Sequence, residues 1–162
     1  VVGATEGVSY GKAAPGDSWR NVFLKEIEGA FDPTRLHFTG PLPYGSFLQL
    51  LKLSACHVYL TYPFVLSWSL LEAMSTGCAV VGSATAPVQE VIESDKEGLL
   101  VDFFSPGQLA DAVEALLLDR SLAARLGQKA RQSVLQRFSL EQCVPRQIAL
   151  MQLVASGHLS AG

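Results

Sequence analysis

The polar groups best placed to do chemistry lie between Val58 and Glu90, in the stretch VYLTYPFVLSWSLLEAMSTGCAVVGSATAPVQE. Ser67, Ser69 and Glu72 stand there at the head of a helical pattern. A helix start leaves backbone amides unpaired beside the positive end of the helix dipole, and that combination suits an anion. The formal charge of −3 gives no general attraction for nucleic acid or anionic lipid, so an anionic ligand has to be held by placed donors of this kind. Glu72 has two readings. Ser69-Leu70-Leu71-Glu72 is a capping box, in which the glutamate returns a hydrogen bond to the Ser69 amide. A carboxylate is also a pure acceptor that can take both hydroxyls of a vicinal diol. Glu90, soon after Pro87, falls in the first turn of a further helical pattern, where any carboxylate stabilises the helix. His37 and His57 sit in strand patterns and read as structural, and His158 belongs to a tail. No histidine, cysteine or carboxylate set has metal-ligand spacing, and no metal is expected. The three cysteines, Cys56, Cys78 and Cys143, are widely spaced with no CxxC pair and read as reduced, which favours a cytoplasmic compartment.

The elements that position these residues alternate. Short β-branched or aromatic runs at Val1 to Ala4, Leu36 to Thr39, His57 to Thr61, Ala79 to Gly82 and Gly98 to Asp102 are each followed by helical spacing, which predicts an α/β fold built of parallel βαβ units. Helices are predicted over Ser18 to Gly29, Ser46 to Ser54, Ser69 to Ser75, Pro87 to Ser94, Pro106 to Leu118, Ser121 to Gln136 and Leu140 to Val154. Ser18, Ser46, Ser69 and Ser105 mark helix starts, because a serine hydroxyl accepts from the free amides of a first turn. Residues 7–16 read as a Gly- and Ser-rich loop with Tyr10 and Lys12 embedded, at the carboxyl edge of the sheet where open α/β sheets bind ligands. At 162 residues and 49% apolar content the chain is a one-domain quantity able to bury a core. Its apolar runs fall far short of the roughly 20 residues a membrane span needs.

Over Val58 to Glu90 the order is a strand, a tight loop, a helix carrying Glu72-Ala73-Met74, a glycine stop at Gly77, a second strand and a loop reaching Glu90. In these residues the chain resembles the retaining glycosyltransferases of the GT-B fold, family 4. Their pattern runs Pro-Ser-x-x-Glu-Gly-Phe-Gly-Leu, Glu-Ala-Met-Ala-x-Gly, Pro-Val-Val and Gly-Gly-x-x-Glu-Val. Leu36-His37-Phe38-Thr39-Gly40, Glu97-Gly98-Leu99-Leu100-Val101 and Phe138-Ser139 extend the resemblance, so residues 36 to 142 follow the family in order. The resemblance implies a Rossmann-like parallel sheet with helices on both faces, the C-terminal half of a GT-B fold. It implies that Glu72 takes the ribose hydroxyls and that the amides of Ser67, Trp68 and Ser69, with Leu66 and Phe64 in the same loop, lie along the diphosphate and sugar of a nucleotide-sugar donor. Pro41, Leu42 and Tyr44 fall where the family holds the base, and Tyr44 is placed to stack on it.

One departure is plain. Phe64 replaces the family's first glutamate, which contacts the donor sugar, and Val65, Leu66 and Ser67 replace its Gly-x-Gly backbone. The family also supplies an Arg and a Lys to the leaving diphosphate from the start of its second domain, after that domain's first strand. Gly11-Lys12 follows a later strand and does not inherit that role. The start at Val1-Val2-Gly3-Ala4, without methionine or signal pattern, reads as an excised fragment. Residues 1–156 are therefore expected to form a nucleotide-sugar-binding Rossmann-like domain truncated at its N-terminal side, with 157–162 a tail. The expected donor is a UDP-, GDP- or ADP-sugar with no cofactor, and the expected partner is an N-terminal acceptor domain of the parent chain. No nucleic acid is expected, and membrane association only through the parent. The fragment alone is expected to be inactive. A non-catalytic α/β interaction domain and a fragment of a GT-B sugar-nucleotide epimerase are the alternatives.

Overall fold

The computed structural model describes residues 18–62 and 65–157. The chain divides into two compact units, Val1–Phe47 and Leu48–Gly162. In the first, helix α1 (Trp19–Glu26) starts at Ser18, whose hydroxyl accepts from the Asn21 amide. A 3-10 turn at Pro33–Arg35 follows, opened by the Asp32 carboxylate accepting from Thr34. Leu36 leaves that turn with extended dihedrals, φ −108 and ψ 111. The strand predicted over Leu36 to Thr39 does not form, because extended backbone becomes a strand only when a neighbour takes its hydrogen bonds and none of the described residues does. Phe38 instead carries the Arg20 guanidinium 4.3 Å above its ring. The strand predicted over Val1 to Ala4 and the loop over 7–16 lie outside the described residues.

Helix α2 (Tyr44–Leu53) leads into the second unit, which holds a parallel sheet of β1 (His57–Tyr59), β2 (Val80–Ser83) and β3 (Leu99–Val101) in that order. The register pairs His57 with Val80 and Val81 with Leu99. Between and after the strands come α3 (Trp68–Ser75), α4 (Ala86–Gln89), α5 (Pro106–Leu118), α6 (Arg120–Phe138) and α7 (Leu140–Ala155). This is the α/β arrangement expected, with helices on both faces. Ala79, Val81 and Val101 turn one face toward Leu116 of α5 and Leu126 of α6. On the other, Gly82 lies between the side chains of Leu100 and Val88 of α4, and Ile92 covers Gly98. Leu70, Met74, Val88, Ile92, Leu116 and Leu126 are fully buried, each worth roughly 1.5–3 kcal/mol in apolar transfer.

Several helix ends differ from the pattern in the sequence: α1 stops at Glu26, short of Gly29, and α2 starts at Tyr44, so that Ser46 lies inside the helix and not at its start. The helix predicted over Pro87 to Ser94 stops at Gln89, because the Arg137 guanidinium takes the carbonyls of Glu90 at 2.6 Å and Val91 at 3.2 Å. Glu90 therefore caps the C-terminus of α4 instead of lying in a first turn. Helix α3 is capped by Ser67 rather than Ser69, a shift with direct consequences for Glu72.

Candidate functional site

Strands β1, β2 and β3 run parallel, so the segments that follow them gather at one edge of the sheet, where open α/β sheets place their ligands. The β1 segment ends in the start of α3. Ser67 is extended, φ −87 and ψ 146, and its hydroxyl accepts from the Ser69 amide at 3.4 Å and the Ser69 hydroxyl at 3.1 Å. With the cap at Ser67, the third helical residue is Leu70, so the predicted capping box of Ser69 with Glu72 does not form. Glu72 lies in the second turn, half-buried, and its carboxylate has no hydrogen-bond or ionic partner among the described residues. It is also the one charged side chain between Val58 and Gly77.

The three amides expected to face an anion are not equivalent. The Ser67 amide donates to the Tyr59 hydroxyl at 2.8 Å, and the Ser69 amide is held by the cap. The Trp68 amide alone has no acceptor among the described residues, and its indole side chain is 81% exposed. Leu66 is half-buried and Val65 exposed; Phe64 lies outside the described residues. Leu42, half-buried, and Tyr44, exposed at the start of α2, belong to the first unit.

Ser83 ties the sheet edge together. Fully buried at the end of β2, its hydroxyl accepts from the Thr61 amide at 3.1 Å and donates to the Thr61 carbonyl at 3.0 Å, while the Ala84 amide donates to the Val101 carbonyl at 2.7 Å. This clamp ties the chain two residues beyond β1 to the end of β2. Beyond it Tyr62, Phe103 and Phe104 form an aromatic group with ring centroids 5.0 to 5.4 Å apart, and Tyr62 and Phe104 remain exposed. Sequence reasoning missed Phe103 and Phe104. An aromatic pair directly after a strand, at the edge where ligands bind, was the available signal.

The other candidates fall elsewhere. The His57 amide donates to the Ala79 carbonyl at the opposite end of β1; burial holds the imidazole below the ordinary value, and Nε2 is buried with no partner among the described residues. Cys56, Cys78 and Cys143 are free, and burial pushes the Cys78 thiol up to about 11, with a smaller contribution from Cys56. Among the described residues no group of histidines, cysteines and carboxylates could hold a metal, and no helix is long and apolar enough to cross a membrane. A cavity of about 640 Å³ lies between the α4 to β3 connection and α6, lined by Glu90, Lys96, Lys129 and Arg137 among others; none of the expected donor residues borders it. Its charged groups are of both signs and Arg137 is spent on main-chain carbonyls, so the edge at α3 is the better candidate.

The family model of the glycosyl transferases group 1 matches residues 10–133. An uncharacterized glycosyltransferase of Methanocaldococcus jannaschii is 26% identical over 122 residues, covering 75% of this chain and 31% of that protein. The structure of sucrose-phosphate synthase from Thermosynechococcus elongatus superposes with a TM-score of 0.73 at 25% identity, over 90% of this chain and 38% of that one. The Anabaena protein HepE, solved in complex with UDP-glucose, gives a TM-score of 0.70 at 22% identity over 83% of this chain and 36% of that one. The chain thus spans less than half the length of each of these proteins.

Proposed function

The chain belongs to the glycosyl transferases group 1 family, and from that membership we propose that residues 1–156 are the nucleotide-sugar-binding domain of a retaining, family 4 glycosyltransferase of the GT-B fold. The observation that carries this reading is the unpartnered carboxylate of Glu72. A carboxylate with no donor among the described residues suits a ligand that brings hydroxyls of its own. The vicinal diol of a ribose is such a ligand. At the start of the same helix the Trp68 amide and the positive end of the dipole suit the adjoining diphosphate, with no lysine or arginine nearby in the chain. The complex of HepE with UDP-glucose supports a donor of this class. Leu42 and Tyr44 are the residues assigned to the base, and Leu66 with Phe64 to the sugar end.

In this mechanism the domain holds the donor while charge builds on the leaving diphosphate, and fixed donors at the helix start stabilise that charge without reorganising. Acceptor binding and the cationic groups that complete charge neutralisation come from the rest of the parent protein, so the isolated chain binds donor and turns over none. No metal or cofactor takes part, and the working compartment is the cytoplasm. Calorimetric titration with UDP, GDP and ADP tests the reading. One nucleotide is expected to bind selectively and to lose measurable affinity in Glu72→Ala. Failure of all three to bind the unsubstituted chain removes the donor-site reading.

A second reading, an α/β interaction domain without catalytic function, is favoured by the exposed side chains of Val65, Trp68, Tyr62 and Phe104 around the same edge. It predicts that Glu72→Ala leaves partner binding intact and that no nucleotide binds.

A further inference from the structure

Nothing in the sequence singles out Tyr59, yet its side chain is tied to the start of α3. It is 8% exposed, and its hydroxyl oxygen accepts from the Ser67 amide at 2.8 Å. The O–H of that hydroxyl has no acceptor among the described residues. A tyrosine O–H in a buried position nearly always has an acceptor, since leaving it without one forfeits hydration for nothing. The helix dipole adds to the demand, because both the Tyr59 hydroxyl, bonded to the cap residue Ser67, and the Trp68 amide, which has no acceptor among the described residues, lie at the positive end of the same helix.

We propose that Tyr59 is a direct donor to the anion at the start of α3, its O–H completing a hydrogen bond to a diphosphate oxygen of the bound nucleotide. The proposal rests on the donor-site reading above and adds a residue to it. The Ser67 amide is spent on Tyr59, but the interaction passes outward: an oxygen that accepts a hydrogen bond is polarised, and its own proton becomes a better donor. The anion thus meets the Tyr59 hydroxyl and the Trp68 amide in place of a row of backbone amides. The contact is a donated hydrogen bond from the phenol, and no proton is transferred.

The test compares the nucleoside diphosphate that binds the chain with its parent nucleoside, in the unsubstituted chain and in Tyr59→Phe. Affinity for the diphosphate is expected to fall about tenfold or more, the usual loss for one hydrogen bond to a charged group, while affinity for the nucleoside is unchanged. Equal affinity of both proteins for the diphosphate overturns the proposal and leaves the donor site standing. A parallel loss for diphosphate and nucleoside also overturns it, since it marks Tyr59 as a brace for the helix start. Failure of the unsubstituted chain to bind UDP, GDP or ADP overturns the donor-site reading and this proposal with it. Should Tyr59→Phe not fold, 3-fluorotyrosine at position 59 decides instead. Its fluorine resonance is expected to move with the diphosphate and not with the nucleoside, and a resonance indifferent to the diphosphate overturns the assignment.

Discussion

A glutamate three residues after a serine can close a helix start or remain open to a ligand, and Ser67 decides between these for Glu72. By capping α3 two residues ahead of Ser69, it puts Leu70 at the position a capping box needs for its glutamate and moves Glu72 on to the second turn. The carboxylate then has nothing in the described chain to hold it. A side chain without partners contributes little to stability, so Glu72→Gln is expected to change the free energy of unfolding by less than about 0.5 kcal/mol. Its effect on binding is different in kind. An amide keeps one acceptor oxygen, replaces the other with a donor and loses the charge, so a diol that used both oxygens loses a charge-assisted contact. Affinity for the bound nucleoside diphosphate is expected to drop about tenfold in Glu72→Gln, with Glu72→Ala weaker still. Thermal denaturation and calorimetry on the same preparations check both halves; a large loss of stability with unchanged affinity would show that the carboxylate serves the fold.

At the scale of elements, what orients that residue is the packing of α3 on α6. The two helices approach at glycines: Gly127 of α6 lies against the backbone after α3, so that a Cβ there would overlap the Gly77 carbonyl and crowd the Ala79 amide. Next to it the Arg131 guanidinium donates to the Ser75 carbonyl at the last turn of α3. Gly127→Ala is accordingly expected to force the helices apart and to destabilise the chain by about 1–3 kcal/mol, although alanine is the better helix former, and urea denaturation measures it. None of this close approach was visible in the sequence, where Gly127 is one residue in a long helical run. Local signals fared better. Helix α5 begins and ends where its Ser105 cap, Pro106 and apolar spacing put it, and α7 ends one residue past its expected limit. Some of the misjudged positions depended on distant groups, and the cap of α3 on a local choice between neighbouring serines. The extended run from Leu36 lacks a strand to pair with among the described residues, α4 ends where Arg137 arrives from a helix far along the chain, and the cap of α3 fell on the earlier of two serines. The candidate site divides the same way. Glu72 and the loop before it were legible because the motif is contiguous; the Tyr59 bond to Ser67 lies in that same segment but needs the fold of the loop to bring the two together, and the Tyr62, Phe103 and Phe104 group arises only when the ends of separate strands meet at one edge.

For the whole molecule, the sheet separates two polar regions, one at each end of β1. The carboxyl edge carries Glu72 and the start of α3. The amino end of β1 carries His57, whose Nε2 is buried with no partner among the described residues and whose burial lowers its pKa from 6.5. Unfolding releases this imidazole into water, where it takes a proton at its ordinary value. Above about pH 6.5 both states are neutral at this residue and it imposes no penalty. As pH falls below 6.5 the unfolded chain binds a proton that the folded chain does not, and stability declines until pH passes the lowered value of the folded state. Ordinary carboxylates remain largely ionised between about pH 7 and pH 5, so this window isolates the histidine. The thermal midpoint of the chain is expected to fall over that range, and in His57→Phe, which fills the space without a proton site, the decline is expected to flatten. Nucleotide affinity at the far edge should not follow the same curve, since His57 lies at the end of β1 away from α3. Melting curves at half-unit pH steps decide the matter: a midpoint equally sensitive to acid in both proteins would move the responsible group elsewhere in the molecule.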